Sequence, residues 1–192
     1  MSLFIFGLVL FLGVHSVAIV APAWREQQIA QRGEMAWKGL YSVVSLIGFA
    51  LLIYGYGIAR QSPVVLWSPP AAMRHIALTL MLPVFPLLLA AYLPGRIKTA
   101  AKHPMLLAVK LWATAHLLAN GTLVAVLLFG AFLIWAVLDR IAAKRRAVAR
   151  VIPGAPPSAL NDAIALVAGL GLYGVFALWG HLWLIGVSPL RG

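Results

Sequence analysis

Three histidines, His15, His116 and His181, fall inside long apolar runs of a 192-residue chain that has no cysteine. An ionisable side chain placed in such a run is costly to desolvate, which makes each of the three a candidate functional group. The four acids, Glu26, Glu34, Asp139 and Asp162, all fall in or beside expected loops. Disulfides, thiolate metal sites and cysteine nucleophiles are therefore excluded, and a zinc or di-iron centre lacks its carboxylates. No Gly-rich phosphate loop, nucleophile–base arrangement or metalloprotease motif is present. What remains is imidazole chemistry: ligation of a metal through a ring nitrogen, or hydrogen bonds to a neighbouring helix.

The elements that must position these groups follow from composition. The chain is 63% hydrophobic and 10% charged, against about 45–50% and about 25% in soluble domains. That describes an integral, all-α, polytopic membrane helix bundle forming one domain over residues 1–192, with the lipid bilayer as its first partner. The formal charge of +11 reads as positive-inside loops and not as a nucleic-acid surface. Residues 2–21 form a first span that is retained and not a signal peptide, because no basic residue precedes the apolar run. A polar loop with Arg25, Glu26, Arg32, Glu34 and Lys38 leads to a second span over 39–58. A Pro-rich connection over 61–70 holds Trp67 at the interface.

The third span, 73–93, contains Pro83 and Pro86, which free carbonyls for neighbouring helices to satisfy. A basic turn precedes the fourth span, 104–120; Asn120 and Gly121 turn the chain into the fifth, 122–138. The polar segment 139–157, with Lys144, Arg145 and Arg146 at its centre, leads to the sixth span, 161–187. There Gly169, Gly171, Gly174 and Gly180 are expected to let other helices approach closely. Eleven of the fifteen Lys and Arg residues fall in the first, third and fifth loops. Six spans with both termini outside the cytoplasm follow from that asymmetry.

Depth then sorts the histidines. His75 and His103 lie at span ends, where an interfacial imidazole with a wet tip is the plain expectation. A rise of 1.5 Å per residue places His15 about 9 Å, His116 about 16 Å and His181 about 28 Å from the cytoplasmic ends of their helices. Side chains tilt toward the start of their own helix, which draws His15 and His116, on antiparallel spans, toward one level and leaves His181 near the outer face. Two imidazoles at one depth with no carboxylate or thiol fit bis-histidine haem ligation. Ala18 leaves room on the His15 face, and Trp112 and Asn120 flank His116 at i−4 and i+4. Lys110, Lys102, Lys98 and Arg96 lie cytoplasmic of the pair, where propionates could point. Two alternatives stay open: each histidine bonds a neighbouring helix, and Lys110 snorkels to the surface instead of pairing with an anionic ligand.

Several blocks carry a resemblance. Leu10 to Ser16, Lys38 to Ser42, Leu93 to Lys98, His103 to Leu106, Leu111 to Gly121 and Phe129 to Phe132 resemble the NnrU family across nearly the whole chain. The resemblance implies a bacterial inner-membrane protein linked to denitrification, through production of nitrite and nitric oxide reductases. The family is also similar to plant 15-cis-zeta-carotene isomerase, a haem b membrane enzyme whose ligand histidines fall in blocks like Val14-His15-Ser16 and Ala115-His116-Leu117. That similarity implies haem b at His15 and His116, with a polyene or quinone-like lipid as a further partner and cis–trans isomerisation as the alternative activity. The isomerase has a cysteine three residues before its second histidine. This chain has Ala113 there, so a thiolate ligand is not available and isomerase activity is placed in doubt.

Overall fold

In hydrocarbon each backbone N–H and C=O must be satisfied within its own segment, so uncharged aliphatic runs fold as helices. The computed structural model describes residues 1–145 and 154–190 and is 81% helical. Among the described residues there is no strand beyond one isolated antiparallel bridge, Val65 to Thr122. The helices are α1 (Ser2–Val20), α2 (Pro22–Arg32), α3 (Glu34–Ala59), α4 (Ala71–Met81), α5 (Val84–Tyr92) and α6 (Arg96–Ala101). They continue with α7 (Pro104–Ala119), α8 (Leu123–Arg145), α9 (Ala159–Val175), a π-helical turn (Phe176–Gly180) and α10 (His181–Ile185). Five stretches are long and apolar enough to cross a membrane: Ser2–Val20, Glu34–Ala59, Ala71–Tyr92, Leu123–Arg145 and Ala159–Ile185. Pro104–Ala119 is apolar but shorter. The protein is a multi-pass membrane protein. Arg146, Arg150 and Arg191, which entered the charge balance, lie outside the described residues.

The chain divides into two compact units, residues 1–67 with 122–131, and residues 68–121 with 132–192. In the first, α1 packs on α3 through glycine. A Cβ added at Gly7, Gly48 or Gly55 would run into the backbone of Leu52, Phe11 or Phe4 respectively, so the two helices approach almost backbone to backbone. Phe4 is fully buried there. The expected polar loop is instead helix α2. Pro22 sits in its first turn, Gly33 ends it at φ 83°, and both are signals that favour these positions. Trp24 of α2 meets Trp37 edge-on at 5.7 Å. Helix α3 also starts before residue 39, with Glu34 and Lys38 paired at 2.8 Å one turn apart. The Pro-rich connection is tied to the start of α8 by the bond from Leu123 N–H to the Val64 carbonyl, 2.9 Å.

In the second unit the prolines act as expected. Leu82 N–H turns to the Thr79 carbonyl, which Pro83 cannot serve. The Leu78 carbonyl that Leu82 thereby leaves accepts the Tyr173 hydroxyl of α9 at 3.1 Å. Helix α5 packs on α9 where Gly169 lies against Pro86, and Val84 and Leu87 of α5 meet Ala108 of α7 in a small core. Of the four glycines expected to admit a neighbour, Gly169 does so. Gly171 and Gly174 face open space, and Gly180 has only the Phe176 ring beside it.

Candidate functional site

The second unit contains a junction that sequence patterns alone do not reveal. The Asp162 carboxylate of α9 accepts from Arg96 N–H at 2.8 Å and Ile97 N–H at 3.0 Å, capping α6 from another element. Buried Asn161 donates to the carbonyls of Pro94 and Pro156, 2.9 Å each. A Cβ at Gly95 would collide with the Asp162 carboxylate, which would have to leave its place at the start of α6. After α6, Lys102 adopts φ 60° and ψ −44°, and His103 N–H bonds the Ala101 carbonyl at 2.6 Å. This is a γ-turn of the rare, strained type, and it delivers the chain to Pro104, at the start of α7.

Helix α7 carries most of the expected site. His116 lies in its last turn, partly buried, with Nδ1 2.8 Å from the Trp112 carbonyl. A carbonyl oxygen can only accept, so Nδ1 bears the proton. The Trp112 ring lies 5.4 Å from the His116 ring and 5.5 Å edge-on from Phe132. Asn120 does not turn toward the imidazole. Its amide donates to the His116 backbone carbonyl at 2.8 Å, satisfying one of the acceptors that a helix end leaves open. Lys110 is partly buried, and Lys98 donates to the Ala91 carbonyl at 2.9 Å.

His15 belongs to the first unit. Its Nδ1 donates to the Phe11 carbonyl at 2.7 Å, which sets the same tautomer as in His116. The ring lies 4.2 Å from that of Phe11 and 5.2 Å from that of Tyr41. His75 is exposed on α4, and partly buried His103 is the residue before α7.

The residue that depth counting misplaced is His181. Counting left it about 12 Å further out than His116, yet the two rings are 6.4 Å apart, centroid to centroid, with planes 24° from parallel. The π-helical turn Phe176–Gly180 immediately before His181 adds a residue and rotates everything after it, which a count at constant rise leaves out. His181 Nδ1 donates to the Val187 carbonyl at 2.6 Å, again leaving Nε2 as the acceptor nitrogen. Its position in an apolar run beside His116 in depth order was the available signal; the π turn has no sequence mark.

Among the described residues no three His, Cys, Asp or Glu side chains converge. The class defined so far is a multi-pass all-α membrane protein with in-span imidazoles of one tautomer. Comparison with known families is specific: the model described as NnrU protein matches residues 3–189, and the chain belongs to the NnrU family. No curated protein and no solved structure matches.

Proposed function

We propose that this chain is an integral membrane haem b-binding protein of the bacterial inner membrane, with iron held by two histidines. It acts as an accessory or redox factor in nitrogen-oxide respiration, supporting nitrite and nitric oxide reductase production. Sequence depth pairs His15 with His116. The observation that carries the reading is the His116 environment: a Nδ1–H bonded to the Trp112 carbonyl at 2.8 Å, which orients Nε2 as a ligand. Bound haem iron supplies one-electron transfer, and the protein supplies axial ligands, orientation and a low-dielectric surround. Lys110, Lys102, Lys98 and Arg96 are the cations that this reading assigns to the propionates.

The test is the visible spectrum of the full chain purified from haem-replete cells, together with nitric oxide reduction by a deletion strain. A Soret band and impaired nitric oxide reduction are expected. Absence of the band removes the haem reading, and unimpaired reduction removes the respiratory role. Turnover of a polyene by the reduced protein would move the function to the isomerase alternative, despite Ala113.

A further inference from the structure

Two apolar spans of the second unit, Ala71–Tyr92 and Ala159–Ile185, meet where Gly169 lies against Pro86. Residues of segments 94–100 and 157–162, which follow the one span and open the other, line an open groove of about 860 Å³. The ends of apolar spans mark the edge of the hydrocarbon, so the groove lies at headgroup depth. Tyr92, the last residue of the first span, is 49% exposed, as an interfacial aromatic is. Leu160, next to the lining residue Ala159, is 64% exposed, which carries the lipid-facing surface up to the rim.

The lining joins apolar walls, among them Pro157 and Ala159, to two cations, Arg96 and Lys98, and one acid, Asp162. Both Asp162 oxygens accept from backbone N–H groups, those of Arg96 and Ile97. Among the described residues neither the Arg96 nor the Lys98 side chain has a carboxylate partner. Arg96 is exposed, and Lys98 gives one N–H to the Ala91 carbonyl at 2.9 Å, which leaves two of its three donors. Cations at the membrane edge attract anionic headgroups, and a guanidinium grips a phosphate through two parallel N–H donors. A free phosphate would leave the proline and alanine walls bare, whereas a phospholipid covers them with its glycerol and upper acyl carbons.

We infer that this groove seats one anionic phospholipid, whose phosphate is held by Arg96 and Lys98. The seat is independent of haem binding, and it leaves Lys110 and Lys102 as the cations for propionates.

The experiment titrates the full chain in detergent with phosphatidylglycerol or phosphatidylcholine and counts retained lipid by native mass spectrometry. Wild type is expected to retain one phosphatidylglycerol and to prefer it to phosphatidylcholine. Arg96→Gln keeps the backbone N–H that Asp162 accepts from, so the junction stays intact while the lipid binds about fivefold more weakly. Ala100→Trp fills the groove from its lining without changing charge and weakens binding as well, with helix content by circular dichroism equal to wild type. Lys144→Gln removes the same charge from an exposed position on α8 and leaves the retained lipid in place, as does millimolar inorganic phosphate. Equal weakening by Arg96→Gln and Lys144→Gln, or no preference for phosphatidylglycerol in the wild type, overturns the inference. Displacement of the lipid by inorganic phosphate also overturns it, and makes the groove a free-phosphate site.

Discussion

The two units hold a histidine by the same local bond among different neighbouring rings. In each, an imidazole inside an apolar helix donates Nδ1–H to the carbonyl one turn back, His15 to Phe11 and His116 to Trp112. The rings of Phe11 and Tyr41 lie 4.2 and 5.2 Å from that of His15. The rings of Trp112 and His181 lie 5.4 and 6.4 Å from that of His116. Local bonding therefore fixes the tautomer in both places, while the rings beside each histidine differ. The units are also stabilised differently. The first relies on glycines that bring α1 and α3 together, the second on polar caps at Asp162, Asn161 and Tyr173.

That contrast can be broken by substitution. The largest stability effect is expected from Gly7→Leu, which forces a side chain into the Leu52 backbone. Overpacking of this kind costs about 3 kcal/mol. The matched control in the second unit, Gly171→Leu, faces open space and should be near neutral; denaturation in detergent reads both. Equal losses at the two sites would remove the glycine-packing account. Next, Asp162→Ala leaves Arg96 and Ile97 N–H without their acceptor and should cost about 1–2 kcal/mol, with proteolysis of the α5–α6 connection increasing. His15→Ala loses its tilted ring contacts with Phe11 and Tyr41 and should cost about 1 kcal/mol, read by the same denaturation. The smallest effect is that of Tyr173→Phe. It strips the Leu78 carbonyl of its donor and costs about 0.6 kcal/mol, the average for a hydrogen bond between membrane helices.

Much of the fold was legible because membrane helices announce themselves by length and apolarity. Pro83 and Pro86 also foretold the break between α4 and α5 and the rescue of a carbonyl by a neighbour. Charge misled where helices begin or end outside the apolar run. Residues 22–32 are polar, yet Pro22 and Gly33 bound a helix, and α8 runs on to Arg145 through Asp139, Arg140 and Lys144. Glycine count misled too. Four glycines in the last span drew attention, while Gly7, Gly48 and Gly55, spread over two helices, make the closest approaches in the first unit. The candidate site was half legible. Trp112 beside His116 follows from i−4 spacing, but the approach of His181 to His116 follows a π turn that leaves no periodic trace.

The central claim is that His116 holds a haem. Haem content per chain, measured on wild type and His116→Ala purified side by side from haem-replete cells, tests it most directly. The account predicts stoichiometric haem in the wild type and almost none in the variant. Equal content in the two proteins, or none in the wild type, would contradict it.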